Sequence, residues 1–81
     1  MTVTEIVKKA KDYCESELKA TRVCYNWEKG SLYHDKEMAR CALQRCLGAV
    51  QYAQWCGATD SDLEWYDSEI REKFYKEFLD N

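Results

Sequence analysis

The sequence predicts an all-α fold: an antiparallel, up-down-up three-helix bundle with helices over about 3–28, 34–56 and 62–79. Three observations carry this expectation. The chain has no proline and only three glycines, so its long stretches lack the residues that helices tolerate worst. Apolar residues recur at three- and four-residue spacing in three runs. The connections between those runs are short and hold Gly30 and Gly57, and short connections make neighbouring helices antiparallel. At 81 residues the chain is one domain, 1–81. A domain of this size buries about two-thirds of its unfolded surface, and a 14% aromatic share supplies large buried areas to a small core.

The first helix starts where Thr2 and Glu5 fit a capping box, each side chain satisfying an orphan backbone N–H. Val3, Ile6, Val7, Ala10, Cys14, Leu18, Thr21 and Tyr25 share one face. Its weak stretch is Thr21 to Trp27, where Val23, Tyr25 and Trp27 alternate and local propensity is strand-like. This is the weak point of a helix expected to run to about residue 28, with Gly30 as its C′ residue.

The second helix is capped by Ser31 or Asp35 and stopped by Gly57. Its apolar residues, from Met38 through Leu43, Cys46 and Val50 to Cys56, cover roughly 240° of the helical wheel, against about 100° for an ordinary surface helix. Such a helix must be covered on two sides. In the third helix Ser61 and Glu64 fit a second capping box, and Leu63, Tyr66, Ile70, Phe74 and Phe78 make the core stripe. Matching heights about the two turns puts Cys14, Cys46 and Ile70 in one layer.

Two charges interrupt the inward faces. Glu17 lies beside Tyr13, Cys14 and Cys24, and Arg45 beside Cys41, Ala49 and Tyr52. Antiparallel pairing sets them at one height, so they are expected to meet as a buried ion pair, because an unpaired buried charge is costly. The same four residues, Glu17, Arg45, Tyr52 and Tyr13, are the candidate lining of a charged pocket. Asp67 leans toward its own stripe, within reach of Lys9 or Tyr13, and reads as a rim carboxylate.

The outward outliers point to an interaction surface. Trp65 falls opposite its core stripe, with Tyr75 and Leu79 leaning the same way and Glu69 and Glu72 around them, and Trp27 leaves the inward stripe of the first helix. Outward tryptophan and tyrosine suit a binding hot spot. A two-fold dimer through that strip competes with docking to another protein, but the flanking glutamates would repel their symmetry mates.

Five cysteines, an odd number without C-x-x-C, read as reduced core thiols, with Cys14 and Cys46 the pair expected to approach. Neither a zinc site from Cys24, His34 and Cys41 nor a Cys–His nucleophile has supporting spacing. No metal and no cofactor are therefore expected.

Charge is uneven. Residues 1–30 hold six basic and five acidic side chains, and residues 58–81 hold three and eight. A third helix this acidic is a poor reader of DNA. The stripe of Lys8, Lys11, Lys19, Arg22 and Lys29 keeps nucleic-acid binding only as an unfavoured class. No run approaches the ~20 apolar residues of a membrane span, and residues 1–11 lack the apolar block of a secretory signal. A cytoplasmic, membrane-free setting is expected. No phosphate loop, triad or metalloenzyme motif occurs. The leading expectation is a non-enzymatic protein-interaction module, a regulator or inhibitor whose partner is another protein. The alternatives are an oligomeric bundle holding an anionic or planar ligand and, behind it, a nucleic-acid-associated protein.

Overall fold

A computed structural model describes the backbone of residues 1–27 and 32–80 and the side chains of residues 1–24 and 36–80. Gly30 and Ser31, and the side chains of Tyr25, Trp27, His34 and Asp35, lie outside the described residues. The fold is the expected all-α three-helix arrangement. Helix α1 spans Val3–Trp27 and α2 spans Leu32–Trp55. A third helical segment, α3, covers 61–79. Among the described residues there is no strand.

Helix α1 runs through its weak stretch, in line with the expected span of about 3–28. The strand-prone stretch stays helical to Trp27, because Leu18 and Thr21 are buried against the rest of the bundle and tertiary packing outweighs local propensity. Thr21 keeps its buried hydroxyl satisfied by donating to the Glu17 carbonyl one turn back, at 2.7 Å. At the N-terminus the Glu5 N–H donates to Thr2 Oγ1 at 3.2 Å, as a capping threonine requires.

Helix α2 stops at Gly57 for a visible reason. The Gly57 N–H donates to the Gln54 carbonyl and the Ala58 N–H to the Ala53 carbonyl, both at 3.0 Å. Those two bonds are a Schellman motif, which needs a left-handed residue at this position. Gly57 takes φ +111°. The next capping box is not the expected Ser61–Glu64 pair. The Thr59 N–H donates to Asp62 Oδ2 at 2.9 Å and the Asp62 N–H to Thr59 Oγ1 at 3.2 Å. The reciprocal cap therefore sits two residues earlier than the sequence suggested.

Helix α3 is not a regular α-helix. A tight turn at Ser61–Leu63 leads into wide π-type turns over Tyr66–Arg71 and Tyr75–Leu79, with a short α stretch, Glu72–Phe74, between them. The core stripe accounts for this. Tyr66, Ile70, Phe74 and Phe78 repeat every four residues. On a helix of 3.6 residues per turn that spacing drifts by about 40° per step. Turns closed by i→i+5 bonds hold more residues and remove the drift. All four side chains are buried as a result, and the Phe74 and Phe78 rings sit 5.8 Å apart.

The expected layer forms: Cys14, Cys46 and Ile70 are all at most 1% exposed. Ion pairs set the order of the helices. Glu17 meets Arg45 across α1 and α2, while Lys11 meets Glu69 and Arg22 meets Glu77 across α1 and α3. Helix α1 therefore runs antiparallel to α2 and parallel to α3.

Candidate functional site

Helix α3 covers one side of the α1/α2 hairpin and leaves the other open. On the open side a shallow groove of about 210 Å³ is lined by Ile6, Lys9 and Tyr13 of α1 and Ala49 and Tyr52 of α2, with Met1 at its end. The exposure of the large apolar side chains marks this region. Trp55 is 90% exposed, Met1 75% and Tyr52 64%. Tyr52 and Trp55 are neighbours at i, i+3 on α2, and Val3 lies against the Gly57 turn. The N-terminus of α1 and the C-terminus of α2 thus share one apolar, aromatic end.

The wide apolar sector of α2 explains the surplus. Its residues Ala39, Ala42, Leu43, Cys46, Val50 and Ala53 are buried by α1 and α3, whereas Cys41 and Tyr52 remain exposed and Ala49 and Cys56 half-buried. Two neighbouring helices do not cover the whole sector.

Beside the groove the expected ion pair forms. Arg45 Nε and Nη2 donate to Glu17 Oε2 at 3.1 and 2.8 Å. It is not buried, however: the Arg45 side chain is 52% exposed and that of Glu17 18%. No element lies over α1 and α2 here, so the pair sits on the open face. Pairs of this kind contribute on the order of 1 kcal/mol or less. Desolvation, and then the Glu17 carboxylate, hold the Tyr13 hydroxyl above its ordinary pKa. Tyr52 is raised by its hydrogen bond with Cys56 one turn on. The four residues proposed for a charged pocket are therefore on one face, but that face is an open groove with a pair at its side.

The outward strip proposed on α3 is not assembled. Trp65 and Leu79 are half-buried and pack against the core, and only Tyr75 is exposed. The Trp65 indole folds back over the first turn of its own helix. Its Nε1–H donates to the Asp62 carbonyl at 2.9 Å, and its ring meets Tyr66 edge-on at 6.5 Å. Side chains on helices lean toward the N-terminus, so a tryptophan in the first turns covers the cap instead of facing outward. Glu69 is engaged with Lys11 at 3.3 Å, while Glu72 is exposed. The Trp27 side chain lies outside the described residues. Asp67 is exposed and pairs with Arg71 at 3.0 Å, not with Lys9 or Tyr13.

The thiol expectation needs correcting. Only Cys14 and Cys46 are buried; Cys24 and Cys41 are exposed and Cys56 is half-buried. The buried two do approach, each Sγ facing the other's carbonyl oxygen at 3.7 and 3.9 Å. Their shared hydrogen bond and burial push the Cys14 thiol far up, so it stays protonated. The buried Tyr66 phenol is likewise pushed up to about 12 by desolvation. Among the described residues no three His, Cys, Asp or Glu side chains converge as metal ligands, and no helix is long and apolar enough to cross a membrane.

Sequence reasoning missed Trp55. It lies half a turn from Cys46 on the wheel of α2, among Glu37, Gln44 and Gln51. That position was the available signal: a tryptophan on the polar side of a helix has no neighbour to bury it. Comparison with protein-family models, with curated proteins and with solved structures finds no match to this chain.

Proposed function

We propose that this chain is a small, non-enzymatic protein-interaction module, a regulator or inhibitor, that docks through the open α1/α2 face. The observation that carries the reading is the exposed aromatic end, Tyr52 and Trp55 with Met1, beside an apolar groove. Contiguous exposed apolar surface marks interaction sites, and tryptophan and tyrosine are enriched where partners anchor.

The small-ligand alternative has less support. Ligand pockets enclose roughly 300–1,000 Å³, and the open groove has about 210 Å³. The cation meant for an anionic ligand, Arg45, is already engaged by Glu17. Nucleic acid is also disfavoured. In the basic stripe of α1, Lys11 and Arg22 are held by Glu69 and Glu77 of α3. The acidity of the third helix is thus partly spent on the basicity of the first, and phosphate binding needs free clustered cations. An odd cysteine number without close-spaced pairs supports a reducing, cytoplasmic setting for the docking.

The test is capture on the folded, tagged chain. Proteins retained from an extract of the native host should be lost with the double variant Tyr52→Ser, Trp55→Ser and kept with Tyr75→Ser. Equal retention by all three forms contradicts the reading.

A further inference from the structure

We propose that the occupant of the open α1/α2 face is a second copy of this chain, in a two-fold dimer whose axis crosses α1 at Tyr13. The inference rests on the docking reading above and names its partner.

The charges on the face are self-complementary. Along α1 the side chains turned to this side follow Ile6, Lys9, Tyr13, Glu17 and Ala20 at helical spacing. The two charged ones, Lys9 and Glu17, lie four residues on either side of Tyr13 and have opposite signs. A two-fold axis at Tyr13 lays one α1 antiparallel on the other. Lys9 of each copy then faces Glu17 of the other, so the contact forms twice. Half-buried Ile6 likewise falls opposite exposed Ala20, a large residue against a small one.

Helix α2 agrees with the same axis. Glu17 meets Arg45 at 2.8 Å, so on antiparallel helices Tyr13 and Ala49, each four residues away from that pair, share a level. Tyr52 and Arg45 lie three and four residues on either side of Ala49. The axis therefore brings the Arg45 guanidinium of one copy toward the exposed Tyr52 ring of the other, a cation–π geometry.

The α3 side is less suited to pairing with itself, because Glu64, Asp67 and Glu72 are exposed there and like charges would meet.

Sedimentation velocity over a wide concentration series tests this on the full chain. Wild type should be a dimer that weakens with added salt. Lys9 is exposed, so Lys9→Glu should leave the helical circular dichroism unchanged while weakening the dimer at least about tenfold by setting like charges together. Glu17→Lys should weaken it in the same way. Mixing the two variants should restore a mixed dimer, because each altered residue then meets an opposite charge. Tyr75→Ser should dimerise like wild type. A wild type that stays monomeric overturns the inference, as does a dimer indifferent to Lys9→Glu. Failure of the mixed dimer overturns the axis at Tyr13. A monomer whose captured proteins still depend on Tyr52 and Trp55 removes the second copy alone and leaves the docking reading standing. A monomer with no such dependence removes both.

Discussion

Two buried thiols and three accessible ones follow from where four cysteines fall on two helices and a fifth, Cys56, on the turn after α2. Cys14 and Cys46 point into the layer shared by all three helices, while Cys24 and Cys41 lie on surface that α3 does not cover. A thiol reacts as its thiolate, and burial suppresses that form. Titration of the native protein with a disulfide reagent should label Cys24 and Cys41 fast and Cys56 more slowly. Cys14 and Cys46 should label only after denaturation. Fast labelling of four or five thiols would contradict the packing of the central layer. Gly48 supplies a second residue-scale outcome. It sits inside α2, and an added Cβ there meets nothing within 4 Å. Glycine within a helix costs about 0.5–1 kcal/mol relative to alanine. Gly48→Ala should therefore raise stability by about that amount in denaturant melts, and a destabilised variant would show that this surface of α2 is not open.

At the scale of elements, the sequence was most legible where a local pattern has one solution. The Gly57 stop was readable because a helix end that needs a left-handed residue selects glycine. The meeting of Glu17 with Arg45 was readable from matched heights. What failed was rotation. A constant 100° per residue placed Trp65 opposite the stripe of α3, but the helix opens with a tight turn and continues with wide ones, so the wheel does not apply. Two overlapping patterns, Thr59–Asp62 and Ser61–Glu64, both satisfied the cap rule, and the earlier one formed. Burial of the ion pair was not legible either, because it depended on which side of the hairpin α3 would choose. The widened helix makes a sharp expectation. Phe74 is 0% exposed, so Phe74→Ala should cost about 3–5 kcal/mol, a large part of the stability of a small domain. Tyr75→Ala, one residue on, should cost well under 1 kcal/mol. Similar losses from the two would contradict the stripe.

For the whole molecule, α3 buries one side of the α1/α2 hairpin and leaves the other open. Helix α3 takes the side where α1 carries Lys11 and Arg22, and it brings Glu69 and Glu77 to them. The uneven charge along the chain is thereby resolved inside the fold. The opposite side keeps Tyr13 and Tyr52 at the surface, with Trp55 exposed beside Tyr52 at the polar edge of α2, where they are available to a partner. Hydroxyl-radical footprinting, read residue by residue, tests that account most directly. In dilute protein Trp55, Tyr52 and Met1 should oxidise fast, Tyr13 at an intermediate rate, and Trp65 and Tyr66 slowly. When the protein is concentrated or its partner is added, protection should appear at Tyr13, Tyr52 and Trp55 while Tyr75 stays reactive. Oxidation of Trp65 as fast as Trp55 in dilute protein, or protection centred on Tyr75, would contradict the claim that the open α1/α2 face is the docking surface.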